Sequence, residues 1–293
     1  MLHIVAVAAA LLLQALAAHA QEPPPGPRVG DRYEIHLRSV SAQSASDGSS
    51  GDSHSSSIYL ERVIAVRDDG VELEFDLPAD ASAEERARTW QFPVRVLRPA
   101  QGPLQLLNAP ELEARVNAWL AAAGWTREAC GRWIFTWNAF RIECDPQSVI
   151  ETLATFELRP SALRDGASYS EAGARGPGVL RREAQGSGGA AFVVALEVDP
   201  EAARRERAEA DAVVREIMGE NQTFRAAFEE RSAARSAERI SGTIRIRFET
   251  DAAERVTRRT KVTELVIEGP GQRRETRTTT ETVERRLVSG PAR

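Results

Sequence analysis

The chain has 293 residues, of which 42% are hydrophobic, 28% charged and 6% aromatic, and its formal net charge is −5. These proportions exclude a collagen-like chain, a disulfide-dense mini-protein and a wholly disordered chain. The negative charge argues against nucleic acid as a partner, because phosphate binding requires concentrated basic surface. A single lysine, Lys261, limits Schiff-base chemistry to one candidate residue.

The first twenty residues predict a secretory signal peptide. An apolar run covers residues 5–13, and Ala18-His19-Ala20 has the small-x-small pattern of a cleavage site. We therefore expect cleavage after Ala20 and a mature protein that is periplasmic or secreted. No second long apolar run follows in the sequence, so we expect no transmembrane segment after cleavage.

Two cysteines, Cys130 and Cys144, stand fourteen positions apart. An even number of cysteines in an oxidising compartment favours a disulfide between them. In one continuous helix their Cα atoms would be about 21 Å apart, whereas a disulfide requires about 7 Å or less. The chain must therefore double back between them, either as a hairpin or as a broken helix.

In the N-terminal half, apolar and polar residues alternate as they do in antiparallel strands. This alternation predicts strands over residues 31–40, 58–66, 71–77 and 90–96. The intervening segment 41–57 consists mainly of Ser, Gly, Asp and Ala, which predicts a flexible loop.

The middle of the chain predicts a helical insert over residues 110–160. Pro110 begins one helix and Gly124 ends it, and Asp145-Pro146 begins a second helix. The disulfide therefore clamps the connection between two helices.

The second half predicts further strands and a later helical segment. The strands are expected over residues 178–184, 190–198, 244–248, 256–267 and 274–287. Asp199-Pro200 begins a helix that extends through Met218, and residues 224–239 predict a second helix.

Together these patterns predict a single α+β domain over residues 21–293. Its centre is a twisted, mostly antiparallel sheet, with the disulfide-clamped helical insert and the later helical segment packed on it.

Few side chains are suited to catalysis once the signal peptide is removed. His36 lies on the polar face of a predicted strand, and His54 lies in the predicted loop, within Asp52-Ser53-His54-Ser55. Adjacent residues on a flexible loop cannot hold the geometry of a catalytic triad. The sequence contains no metal-binding spacing, phosphate-binding loop or nucleophile elbow. We therefore predict no catalytic residue, no metal site and no cofactor.

All five tryptophans lie between residues 90 and 137, which directs attention to the insert. One interpretation is that aromatic residues pack the insert onto the sheet, and it is favoured because buried aromatic residues are commoner than exposed platforms. The other is a pocket for an apolar or carbohydrate ligand. The candidate lining residues of that pocket are Trp119, Trp133, Trp137 and Phe140.

The segment from Phe135 to Pro146, FTWNAFRIECDP, together with the upstream Cys130-Gly131, resembles secreted proteins of unassigned function from high-GC proteobacteria. The resemblance implies a bacterial, periplasmic protein in which Cys130 is paired with Cys144. It assigns no activity to any residue.

Two functions fit these observations. The first is a non-enzymatic periplasmic protein that binds an apolar small molecule or a cell-envelope protein, with helices covering a curved sheet. The alternative is a hydrolase that uses carboxylates, since Asp and Glu are the abundant acid–base groups. A hydrolase requires two carboxylates that face each other across a cleft and are not both paired with arginine.

Overall fold

The alternating segments of both halves form strands of one large sheet. The computed structural model describes residues 26–135, 139–158, 163–184, 189–218, 237–270 and 273–289. The strands within these ranges are β1 Arg32–Ala45, β2 Ser50–Arg67, β3 Gly70–Asp76, β4 Val94–Pro99, β5 Gln105–Leu106, β6 Trp133–Phe135, β7 Ala139–Arg141, β8 Ser168–Tyr169, β9 Gly178–Val179, β10 Arg181–Ala184, β11 Ala190–Glu197, β12 Arg239–Thr250, β13 Val256–Glu268 and β14 Arg274–Ser289. The helices are α1 Ala83–Arg88, α2 Ala109–Ala122, α3 Ser148–Ala154 and α4 Pro200–Met218.

The large sheet has ten strands in the order β10-β11-β12-β13-β14-β1-β2-β3-β4-β5, and every neighbouring pair is antiparallel. The first long strand of the chain, β1, therefore lies beside the last, β14. Ile35 is opposite Arg285, and the paired stretch continues to Ala45 opposite Glu275. The antiparallel sheet of the sequence prediction is confirmed, and it joins the two halves of the chain at its centre.

Two hydrophobic cores lie on the same face of this sheet. The first core includes Ile35 and Phe75 and the buried faces of α2 and α3. The second includes Ile246 and Phe248, with Ala203 of α4 packed among them. Directly paired residues share a face of a sheet. Phe248 is paired with Arg259 of β13, Arg259 with Val283 of β14, and Val283 with Leu37 of β1. Leu37 is two residues from Ile35 and therefore lies on the same face as Ile35. The sheet thus supports both cores from one side.

The serine-rich segment 41–57 is part of this sheet, so the prediction of a flexible loop is wrong. β1 continues to Ala45 and β2 begins at Ser50, and the segment forms the distal half of their hairpin. Serine and glycine have low strand propensity, but propensity yields to tertiary context. Here the context is the Thr-rich β14, where the hydroxyls of Ser44 and Thr276 lie 2.9 Å apart.

Residues 130–144 double back as a β-hairpin rather than as a broken helix. β6 and β7 pair in antiparallel fashion, and Cys130 and Cys144 form a disulfide at the base, with Cα atoms 5.7 Å apart. The predicted disulfide is confirmed. Among the described residues of the insert 110–160, α2 and α3 lie toward its two ends, and its middle holds a short 3-10 helix at Arg127–Ala129 and this hairpin.

The later helical segment packs on the sheet and also reaches the insert. α4 begins at Pro200, and its Glu216 carboxylate accepts a hydrogen bond of 3.1 Å from the backbone N–H of Trp133 in β6. The helix predicted over 224–239 falls mainly outside the described residues, and Arg239 already begins β12. Among the described residues, no helix combines the length and the apolar composition needed to cross a bilayer.

On the face opposite the two cores, Glu284 of β14 is held between two arginines. Arg286 donates hydrogen bonds of 2.6 and 2.9 Å to its two carboxylate oxygens, and Arg258 donates one of 2.7 Å. These hydrogen bonds, chiefly those from Arg286, lower the pKa of Glu284 to about 2. The ionised carboxylate therefore ties β14 to β13.

We expect Cys144→Ser to lower the free energy of unfolding by about 3 kcal/mol, because the disulfide closes a loop in the unfolded chain. Thermal unfolding of the oxidised wild-type protein and of the variant measures the difference. A reductant should destabilise the wild-type protein and leave Cys144→Ser unaffected. Equal melting temperatures for the oxidised wild-type protein and the variant would contradict the prediction.

We expect the advantage of the wild-type protein over Glu284→Gln to depend on pH. The pKa of Glu284 in the folded protein lies below its ordinary value of 4.5, so ionised Glu284 stabilises the fold above that value. The contribution is lost as the pH falls through about 2. Denaturant unfolding at neutral and acidic pH should show the difference between the two proteins shrinking with acid. A difference independent of pH would argue against the role of this carboxylate.

Candidate functional site

The structure separates the aromatic residues that the sequence singled out. Trp119 of α2 is half-buried against the first core, and its ring meets that of Trp125 edge-on, with centroids 5.6 Å apart. Trp133 and Phe140 lie on the β6–β7 hairpin, and Trp137 lies outside the described residues. Of these residues, the three that the structure describes, Trp119, Trp133 and Phe140, do not line the cavity described next. A role for them in ligand binding stays a prediction.

A cavity of about 510 Å³ lies on the core face of the sheet, beside the join between β1 and β14. Its walls come from β1–β4 and β14, from the segment that follows α3, and from the turn between β12 and β13. The apolar lining comprises Pro27, Val63, Val71, Leu73, Phe156, Leu158, Leu163 and Val256, and Gly26 also lines the cavity. The ionisable lining comprises Tyr33, Glu61, Arg98, Glu157, Glu254, Arg255 and Arg285.

The polar side of the cavity is a cluster of charges centred on Glu61, which is 1% exposed. Arg285 donates two hydrogen bonds to its carboxylate, at 2.5 and 3.2 Å, and Nη1 of Arg98 lies 3.7 Å from it. Nε of Arg98 also lies 3.0 Å from Glu157. A buried carboxylate loses its hydration and requires charged partners, and these two arginines supply them. We call Glu61, Arg98, Glu157 and Arg285 the Glu61 cluster.

Tyr33 fixes the position of Arg285 within the cluster. The guanidinium Cζ lies 3.4 Å from the centroid of the Tyr33 ring, a cation–π contact. Burial raises the pKa of the Tyr33 hydroxyl, so the ring stays neutral. Burial opposes the charge on Arg285, but the attraction and hydrogen bonds of Glu61 outweigh it and raise the pKa of that guanidinium. Arg285 is therefore a permanent, oriented cation at the cavity wall.

Sequence reasoning missed the Glu61 cluster, although the strands carry a signal for it. In β2, Glu61 occupies the inward position between Tyr59 and Val63, where alternation predicts an apolar residue. In β14, Arg285 occupies the inward position next to Val283. Opposite charges at the inward positions of two strands indicate a buried pair. Only the strand order shows that β2 and β14 are the two neighbours of β1, which brings Glu61 and Arg285 together.

A second ion cluster, which includes the single lysine, lies on the core face of the sheet. Lys261 Nζ lies 3.1 Å from the Glu171 carboxylate, to which Arg259 donates two hydrogen bonds of 2.8 Å. The Tyr169 hydroxyl donates to Glu171 at 2.7 Å. Burial and this hydrogen bond raise the pKa of Tyr169 to about 12. Lys261 is thus engaged in ion pairs and does not line the cavity.

The buried Glu61 and the half-buried Glu157 of the cavity are both paired with arginine, which argues against the hydrolase alternative at these two residues. Glu61 contacts Arg285 and Arg98, and Glu157 contacts Arg98. Neither is free to act as a general acid or base. Within the described ranges, no three His, Cys, Asp or Glu residues are grouped so that they could hold a metal ion.

Comparisons with known proteins give no family for this chain. No protein-family model matches it, and no curated protein matches it. Among solved structures, the chain is similar to one described as lipid-protein interactions in lipovitellin, with a TM-score of 0.40 and 8% identity. The match covers 91% of this chain and 26% of the other, so this chain spans about a quarter of that protein's length.

We expect the members of the Glu61 cluster to be energetically coupled. Glu61→Leu leaves buried arginine without its carboxylate and should lower the free energy of unfolding by about 3 kcal/mol or more. The double variant Glu61→Leu/Arg285→Leu should be destabilised by less than the sum of the two single variants. Denaturant unfolding of the four proteins measures this coupling.

The matched control is the more exposed pair Arg62–Glu74, which joins β2 to β3 at 2.6 Å. The same double-mutant cycle on that pair should give a coupling of about 1 kcal/mol or less. Additive effects for Glu61 and Arg285, or equal coupling in the two cycles, would refute the assignment of Glu61 as the buried centre.

Proposed function

We propose that this protein is a non-enzymatic binding protein of the periplasm that holds an amphipathic small molecule in the 510 Å³ cavity. One observation carries the proposal: the cavity has apolar side chains along one part of its wall and the Glu61 cluster along another. A ligand with an apolar body and a polar end is complementary to such a lining.

The size and the rigidity of the cavity support a small organic ligand. Pockets for such ligands have volumes of about 300 to 1,000 Å³ and are usually preformed. Leu73 and Phe156 line the cavity and are also members of the first core, where each is at most 3% exposed. Val256 lines the cavity and packs against both cores. The apolar wall is therefore held in place by packing that does not depend on a ligand.

The charges of the lining specify the polar end of the ligand. Among the described residues, three arginines and three glutamates line the cavity, and the formal charges of these six cancel. Arg285 and Arg98 already have carboxylate partners. A ligand with one net charge would have to displace one of these partners or stay unpaired, and both cost free energy. We therefore infer that the polar end is uncharged or carries both charges.

The periplasmic location rests on the signal-peptide pattern of residues 1–20 and on the paired cysteines. A disulfide such as Cys130–Cys144 persists in an oxidising compartment. Secretion assays with and without residues 1–20 test the location directly: retention of the truncated chain in the cytoplasm supports it, and export without these residues contradicts it.

We expect the cavity to bind N-phenyl-1-naphthylamine, an uncharged amphipathic fluorophore, at one saturable site. Val71→Trp places a larger side chain at the cavity wall and should weaken binding by about tenfold or more, equivalent to 1.4 kcal/mol. Fluorescence titration of the purified protein measures the affinity. Anilinonaphthalene sulfonate, the anionic analogue, should bind more weakly because of its unpaired charge.

The matched control is Val66→Trp. Val66 is paired with Val71 across the β2–β3 hairpin, is 50% exposed and does not line the cavity. It should leave the affinity unchanged. Equal losses from Val66→Trp and Val71→Trp would contradict binding in this cavity, and so would an unaffected titration of Val71→Trp that melts like the wild-type protein.

A further inference from the structure

The first part of β2, Ser50–Tyr59, is paired with a described strand on one side, that of β1. β2 pairs with β1 from Ser50 to Arg62, but β3 pairs with it only from Leu60 to Arg67. Within the described part of the chain, no strand therefore pairs with the side of β2 that faces away from β1 before Leu60. Every residue from Asp52 to Ile58 is exposed.

The register shows which backbone groups point out of this edge. At one end of the β1–β2 ladder, Val63 N–H donates to Asp31 O at 3.0 Å, and at the other end Ala45 N–H donates to Ser49 O at 2.8 Å. Bonded and non-bonded pairs alternate in an antiparallel ladder, so the odd-numbered residues of β2 bond to β1. The even-numbered residues point their N–H and C=O groups outward.

The edge lacks the usual protection against pairing. Exposed edges are normally blunted by lysine, proline or a bulge. Residues 50–58 contain no lysine, arginine or proline, and the β1–β2 register has no irregularity there. The ionisable side chains in this stretch are Asp52 and His54, both on the face opposite the two cores.

We propose that this edge pairs with the same edge of a second copy of the chain, in antiparallel orientation about a twofold axis at Ser53. Asp52 then lies opposite His54 of the second copy, and Ser50 lies opposite Ser56 of the second copy. Each of these contacts occurs twice, which gives four bonded pairs with two hydrogen bonds each, or eight in total.

Charge and shape favour a second copy in this register. The Asp52 carboxylate faces a histidine rather than another carboxylate, so the opposing side chains are complementary. β2 of the second copy begins at Ser50, opposite Ser56, so its strand ends before Leu60, where Asp76 of β3 begins to pair. A register moved further along β2 would bring the partner strand onto that residue.

Cross-linking of the full chain tests the register. The chain's two cysteines are joined to each other, so an added cysteine is the only free one. Ser53→Cys places two thiols opposite each other at the axis, in a non-hydrogen-bonded pair with Cα atoms about 4.5 Å apart, within the reach of a disulfide. Mild oxidation should give a covalent dimer. Ser55→Cys, equally exposed and two residues away, should cross-link at least about tenfold more slowly, because its thiols lie beyond that reach.

Sedimentation across protein concentrations tests the edge itself. Ser56→Pro removes an outward N–H donor, which an edge strand tolerates, and should weaken dimerisation by about tenfold or more. Ser56→Ala keeps the donor and should dimerise like the wild-type protein. Thermal unfolding checks that both variants are folded. A chain that is monomeric at every concentration, equal cross-linking at residues 53 and 55, or dimerisation unchanged by Ser56→Pro would each overturn the proposal.

Discussion

The pairing of β1 with β14 is the constraint on which the rest of the structure depends. The strand order shows that without this pairing the sheet would divide into β1–β5 and β10–β14, each with its own core. The pairing closes a loop of nearly the whole chain, but the entropic cost of closure rises only slowly with loop length. Its consequence is that the middle of the chain supplies both edges of the sheet.

The same pairing creates the candidate site. Arg285 comes from the last strand and Glu61 from the second, and they meet only because β1 lies between β14 and β2. A cavity forms where the two cores adjoin, with Val256 in contact with both. Buried charges are costly unless they are paired, so the Glu61 cluster requires the two halves to be held in register. Fold and site thus depend on one contact between distant parts of the chain.

The sequence predicted the local elements well and the long-range contacts poorly. Alternation predicted β3 and the middle of β12, and helix-start signals placed the first residues of α2 and α4 close to where these helices begin in the structure. Residues 41–57 were missed because serine carries no strand signal of its own. Their structure is decided by pairing, of residues 41–45 with the Thr-rich β14 and of residues 50–57 with β1. Residue type singled out the aromatic residues from Trp119 to Phe140, whereas the aromatic residues that line the cavity are Tyr33 and Phe156 among the described residues. Glu61 and Arg285, which line it, are separated in sequence by 224 positions, and no local pattern shows that they meet.

Native-state hydrogen exchange followed by mass spectrometry tests the central role of β1 and β14 most directly. If their pairing unites the two cores, peptides from the core-facing parts of both strands should exchange as slowly as those from β3 and β11. All four should then respond in parallel to denaturant, because they open in one cooperative step. Fast exchange in β1 and β14, with separate opening of the β3 and β11 regions, would contradict the account.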